Sequence, residues 1–110
     1  MDKIADAIRE VAEELVQKYS FIEDVRVEYS EKNKDEYLID SFYKINHKAI
    51  THKTLRIFIT VTKESVKKNK ATPESASEFY REIATEVLNQ LKYGIDTYEQ
   101  IINRRPAGLV

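Results

Sequence analysis

His47 and His52 are the only two histidines of the chain, and they flank what the spacing predicts to be a short turn. Across such a turn the two imidazoles can face each other with Asp40 nearby, which would suit a surface metal clip or a proton-sensitive pair. A zinc site needs three or four ligands, and this spacing matches no zinc-finger or zincin motif. We therefore interpret the two residues as solvated turn histidines and expect no metal and no cofactor.

Catalytic motifs are also missing from the sequence. There is no cysteine and no glycine-flanked serine, and Gly94 and Gly108 stand alone, so neither a phosphate loop nor a dinucleotide fingerprint is present. Adjacent carboxylates are expected on helix or turn surfaces, at Glu13-Glu14, Glu23-Asp24 and Asp35-Glu36. We expect no catalytic residue and a non-enzymatic protein.

Basic residues are concentrated in the middle of the chain, although the net charge is only −1. Residues 1–40 carry twelve acids and six bases, whereas residues 44–70 carry eight bases and only Glu64 as an acid. A segregated charge of this kind favours contact with an anionic partner. The residues predicted to make this contact are Lys44, Lys48, Lys53, Arg56, Lys63, Lys67, Lys68 and Lys70.

Aromatic residues are interleaved with these cations, and we predict a stacking or interface role for Phe42, Tyr43 and Phe58. Cations that neutralise phosphates beside aromatics that stack on bases are typical of nucleic-acid binding. The alternatives are a solubilising edge with a lysine-rich linker, or an intramolecular match to the acidic first forty residues. A nucleic acid and an acidic protein surface therefore both remain as partners.

The element expected to position these residues is a strand over Thr54–Thr62. Leu55, Ile57, Ile59 and Val61 alternate there with Arg56, Phe58, Thr60 and Thr62. This period of two, with seven β-branched or aromatic residues among nine, predicts a strand, which we place at the centre of the sheet.

Apolar periodicity predicts the other elements. A helix is predicted over Asp2–Tyr19, with Asp2 as its cap. Strands follow over Val25–Tyr29 and Tyr37–Ile45. Both faces of the second strand mix apolar and polar residues, which indicates a second contact surface or a bulge. Lys63–Ala71 is predicted to be a basic linker. A long helix is expected to start at Thr72-Pro73 and to end at Gly94. A short helix starting at Asp96 with Glu99 as its capping partner, and then a loose tail over residues 103–110, complete the chain.

The predicted fold is α+β: a three-stranded antiparallel β-meander with two long helices packed on one face, in the order α-β-β-β-α plus a short C-terminal helix. At 110 residues the chain is one domain. The other face of the sheet exposes Phe58, which favours a homodimer. The order of the helices and strands, and the turn Thr51-His52-Lys53, resemble those of double-stranded-RNA-binding domains. The Gly-Pro that precedes the histidine in that family is missing before His52, so only the topology is shared.

The sequence indicates a small binding module that self-associates and engages an anionic partner, for which nucleic acid is one candidate. The alternatives are a structural assembly subunit, as in a virus-like particle, and a protein-binding regulator or inhibitor. No apolar run approaches the ~20 residues of a membrane span, so no membrane partner is expected. Without cysteine or a signal peptide, the expected setting is cytoplasmic, or a virion for a viral protein.

Overall fold

The computed structural model describes residues 1–104, with side chains up to residue 101. It confirms the α+β class and the predicted order of one helix, three antiparallel strands in one sheet and a final long helix. Residues 105–110 of the predicted tail lie outside the described residues. The elements are α1 (Asp2–Lys18), β1 (Ile22–Glu31), β2 (Glu36–Ile45), β3 (Thr54–Thr62), α2 (Lys63–Lys67) and α3 (Pro73–Arg104).

The strand order is β1-β2-β3, so β2 is the central strand and β3 is an edge strand. The bounds predicted for β3 are confirmed, but its predicted central position is wrong. Strict alternation requires only one covered face, which an edge strand also has. The mixed faces of β2 reflect its central position, with Asp40 and Ser41 both buried. The irregularity in pairing lies in β1, between Ile22 and Asp24, and β2 pairs with β3 without interruption.

The core lies between one face of the sheet and the two long helices. From β3, Ile57 and Ile59 are buried, and Leu55 and Val61 pack against them, as predicted. The helices are also joined by polar contacts. The hydroxyl of Tyr19 at the end of α1 donates to Asn89 Oδ1 of α3 at 2.6 Å, and Arg81 pairs with Glu14 at 2.8 Å.

Helix α3 is continuous for 32 residues and spans about 48 Å at 1.5 Å per residue. Its start is confirmed, because Thr72 Oγ1 accepts the Ser75 N–H at 3.1 Å. The predicted end at Gly94 is wrong, and so is the separate short helix at Asp96. A glycine costs a helix interior only about 1 kcal/mol, and continuation buries Ile95. Lys92 also pairs with Asp96 one turn later, at 2.8 Å.

Two smaller predictions fail at helix ends. Met1 occupies the N-cap of α1 without a side-chain bond, and Asp2 instead accepts a hydrogen bond from the Tyr29 hydroxyl of β1. The predicted linker contains α2, which starts because Thr62 Oγ1 accepts the Ser65 N–H at 3.1 Å. Among the described residues, no helix is both long enough and apolar enough to cross a bilayer.

Candidate functional site

The predicted basic patch is divided between the two ends of β3. Lys44 lies opposite Thr54, at the start of the strand, whereas Lys63 follows its last residue. Nine extended residues span about 30 Å, so the cations of the β2–β3 loop and those of α2 are separated by that length. Neighbours in the sequence thus form two clusters, which we call the loop cluster (Lys44, Lys48, Lys53) and the α2 cluster (Lys63, Lys67, Lys68, Lys70).

In the loop cluster, two of the three cations already have internal contacts. Lys44 lies 3.4 Å from Glu23, and the Lys53 ammonium donates to the carbonyls of His47 and Ile50 at 3.3 and 3.0 Å. Lys48 is exposed and has no acidic partner among residues 1–101. Lys53 therefore stabilises the loop, and Lys48 is the cation left available there.

The α2 cluster has two available cations. Lys63 pairs with Glu31 at 3.1 Å and Lys68 with Glu64 at 2.6 Å. Lys67 and Lys70 are exposed, and no carboxylate within the described part of the chain pairs with them.

The turn that carries Lys70 is well hydrogen-bonded. Asn69 has a φ of 57°, a left-handed conformation that asparagine tolerates. The Ser65 carbonyl accepts the N–H groups of Lys70 and Ala71 at 2.9 and 3.0 Å. Lys70 is thus held in a defined position after α2.

Arg56 points to the open face of the sheet and is engaged by its neighbours. Its Nε lies 2.5 Å from Asp40 Oδ1, and its guanidinium carbon lies 4.5 Å from the centre of the Phe58 ring. The hydrogen bond to Asp40 raises the pKa of Arg56. On the same face Arg26 covers Phe42 at 4.7 Å. Arginine therefore already occupies one surface of both the Phe42 ring and the Phe58 ring.

The three predicted aromatic residues have different environments. The Phe58 side chain is 50% exposed and Phe42 is half-buried, so both belong to the open face. Tyr43 is completely buried and cannot contact a partner, so that prediction is wrong for it. The one-residue shift between Phe42 and Tyr43 places their side chains on opposite faces of β2.

Tyr43 belongs to a buried polar network that sequence reasoning missed. Ser41 Oγ donates to the Ile57 carbonyl at 2.6 Å, Tyr80 donates to Ser41 Oγ at 2.7 Å, and the hydroxyls of Tyr43 and Tyr80 lie 2.5 Å apart. Burial raises the pKa of both tyrosines. The sequence signal was Ser41, a polar residue on the apolar side of β2.

The histidines do not face each other. Nδ1 of His47 accepts the Ala49 N–H at 3.0 Å, so Nε2 carries the proton and donates to Glu99 of α3 at 2.9 Å. His47 is thus a largely buried anchor of the loop on α3, whereas His52 is exposed as predicted. Asp40 binds Arg56 instead. No group of three or more metal-ligating side chains occurs among the described residues.

The open edge of β3 is bordered by a shallow groove of about 330 Å³, lined by consecutive residues of the strand, Ile59 to Thr62, and by Lys70, Ala76 and Phe79. Side chains of consecutive strand residues point to opposite faces, so the surface they share is the backbone edge. Phe79 of α3 is 52% exposed beside it. The groove gives the strand edge an apolar border next to the α2 cluster.

No protein-family model, curated protein sequence or solved structure matches this chain.

Proposed function

We propose that the chain is a small, non-enzymatic binding module that engages an anionic partner through the basic clusters at the ends of β3. The observation that carries this proposal is the exposure of Lys67 and Lys70 without an acidic partner among the described residues. An ammonium group held on an ordered turn can bind a carboxylate without first breaking an internal ion pair. The partner thus gains electrostatic attraction at little cost.

The arrangement favours an acidic protein segment over a nucleic acid. Four of the eight predicted cations are in internal ion pairs, namely Lys44, Arg56, Lys63 and Lys68. The surfaces that would stack on bases are partly covered by arginine. The net charge is −1, whereas domains that neutralise phosphates are usually basic overall.

The test is the binding of a fluorescein-labelled decaglutamate peptide, compared with a labelled oligothymidine, by fluorescence anisotropy at about 50 mM salt. The variant Lys67→Glu/Lys70→Glu should abolish peptide binding. Its matched control is Lys18→Glu/Lys92→Glu, which changes the net charge equally on the two long helices and should retain binding. Equal loss in both variants would mean a net-charge effect and would contradict the proposal. Oligothymidine binding without peptide binding would favour the nucleic-acid alternative.

The open face of the sheet supports a second candidate, a subunit that self-associates as part of a larger assembly. Its half-exposed Phe58 lies among Arg26, Glu28, Asp40 and Arg56. A face with both signs of charge in similar number can pair with a second copy of itself. Such a subunit acts in the cytoplasm or in a virion.

Light scattering over a range of protein concentrations tests this second candidate. The wild-type chain should form dimers, and Phe58→Ser should shift the equilibrium to monomers. A wild-type monomer at every concentration would contradict the candidate.

A further inference from the structure

The two edges of the sheet are protected to different degrees. Five of the ten residues of β1 are charged, and its pairing with β2 is irregular between Ile22 and Asp24. In addition, Arg9 of α1 donates from Nη2 to the Val27 carbonyl at 3.0 Å. Charges, irregular pairing and a covering helix are the means by which proteins keep an edge strand from pairing with another chain.

Edge strand β3 carries little of this charge and none of the irregular pairing. It has one charged residue, Arg56, among nine, no proline, and an uninterrupted register with β2. The uncharged residues are mostly β-branched, which suits them to pairing. The strand is therefore long, regular and nearly uncharged along its open side.

The direction of its free backbone groups follows from two hydrogen bonds. The Lys53 carbonyl accepts the Ile45 N–H at 2.7 Å, and the Lys63 N–H donates to the Asp35 carbonyl at 2.8 Å. Backbone groups alternate between the two sides of a strand, so the odd-numbered residues face β2. Arg56, Phe58 and Thr60 therefore direct their N–H and C=O groups outward, and these groups have no backbone partner among residues 1–104.

We propose that an extended acidic segment of a partner protein adds to the sheet as a fourth strand along β3. This inference rests on the proposed function and specifies its mode. The partner backbone forms hydrogen bonds with the outward N–H and C=O groups of Arg56, Phe58 and Thr60. Its apolar side chains occupy the groove beside Phe79. Its carboxylates reach the basic clusters at the two ends of β3. Main-chain bonds supply affinity in such complexes, and the side chains supply specificity.

Charge favours this occupant over a second copy of the chain. Both ends of β3 are basic, with Lys53 before the strand and Lys63 after it. Antiparallel pairing of two β3 edges would bring the loop cluster of one copy against the α2 cluster of the other, and parallel pairing would bring like clusters together. Either arrangement places positive charges opposite each other, which is repulsive, whereas an acidic strand is complementary in charge to β3 at both ends.

The experiment uses the full chain and a labelled peptide, Glu-Glu-Val-Thr-Val-Thr-Val-Thr-Val-Thr-Glu-Glu, whose acidic pairs have eight residues between them to match the length of β3. Anisotropy measures its affinity, and amide hydrogen exchange by NMR locates it on the wild-type chain. The amides of Arg56, Phe58 and Thr60 should exchange at least about tenfold more slowly in the complex. Thr60→Pro, which removes an outward N–H and no bond to β2, should weaken binding at least about tenfold. Thr60→Val keeps that N–H and should bind like the wild type.

The outcomes separate this inference from the proposed function. Decaglutamate binding that depends on Lys67 and Lys70, without protection of the β3 amides, would overturn strand addition and leave the function in place. If the wild-type chain binds neither peptide, the proposed function and strand addition are both overturned. Equal binding by Thr60→Pro and Thr60→Val would also overturn strand addition. The exchange measurement needs no variant, so it decides the question even where Thr60→Pro does not fold.

Discussion

The Tyr80 hydroxyl of α3 donates a hydrogen bond to Ser41 Oγ of β2 across the core at 2.7 Å. The direction of this bond is fixed, because the Ser41 hydroxyl already donates its proton to the Ile57 carbonyl, which can only accept. Tyr43 must then donate to the Tyr80 oxygen. The result is a one-way chain of three donors that joins the long helix to the two adjacent strands.

This direction predicts unequal effects of removing the two hydroxyls. Tyr80→Phe leaves Tyr43 buried without an acceptor and should lower the free energy of unfolding by about 1–3 kcal/mol. Tyr43→Phe removes only the terminal donor, so its cost should be about 1 kcal/mol or less. Urea unfolding monitored by circular dichroism measures both values. Equal costs would contradict the assigned direction.

Alkaline pH should destabilise the fold through the same pair. Burial raises the pKa of Tyr43 and Tyr80 above the ordinary value of 10.0, so above that pH the unfolded chain has lost protons that the folded chain retains. Stability is therefore fully present below about pH 10 and declines as the pH rises above it. Tyrosinate absorbance should show these two of the seven tyrosines ionising only on unfolding. Ionisation of all seven in a chain that keeps its circular dichroism would contradict this.

Gly94→Ala should stabilise the protein, because Gly94 lies inside α3 rather than at its end. No glycine in the described chain has a positive φ, and a Cβ added at Gly94 meets nothing within 4 Å. Alanine should raise the free energy of unfolding by about 0.5–1 kcal/mol. Thermal unfolding measures the change. A lower melting temperature would instead fit a left-handed helix terminus at this position.

Substitutions of Asn69 should report the strain in the turn of the α2 cluster. Asn69 has a φ of 57° and an exposed side chain. Asn69→Val should therefore lower the free energy of unfolding by about 1–2 kcal/mol, since β-branched residues avoid this conformation. Asn69→Gly is the matched control and should leave stability unchanged or slightly raise it. Urea midpoints compare the two variants, and similar losses in both would mean that the side chain of Asn69, rather than its backbone conformation, matters.

The features that sequence reasoning predicted are those encoded by neighbouring residues. The bounds of β3 follow from its period of two, and the start of α3 follows from Thr72 and Pro73. The centre of the sheet could not be predicted in this way, because strand order depends on pairings such as Asp40 with Phe58 that no local pattern specifies. The bond between Tyr80 and Ser41 likewise joins residues 39 positions apart.

The candidate site could be predicted only in part, because it also depends on contacts between residues that are distant in the sequence. The charges of the basic residues are visible in the sequence, but their partners are not. Lys44, Lys63 and Arg56 pair with acids that lie on other strands. The available cations, Lys48, Lys67 and Lys70, emerge only once these long-range pairs are known.

The continuous α3 sets a fixed spacing between the two basic clusters. It begins at Pro73, next to the groove and the α2 cluster, and at Glu99 it holds the β2–β3 loop through His47. A helix without an interruption resists bending, so the clusters keep their separation of about 30 Å, the length of β3. The protein should therefore select partners by the distance between their acidic groups, and a segment with eight to ten residues between two acidic groups would fit where a shorter one would not.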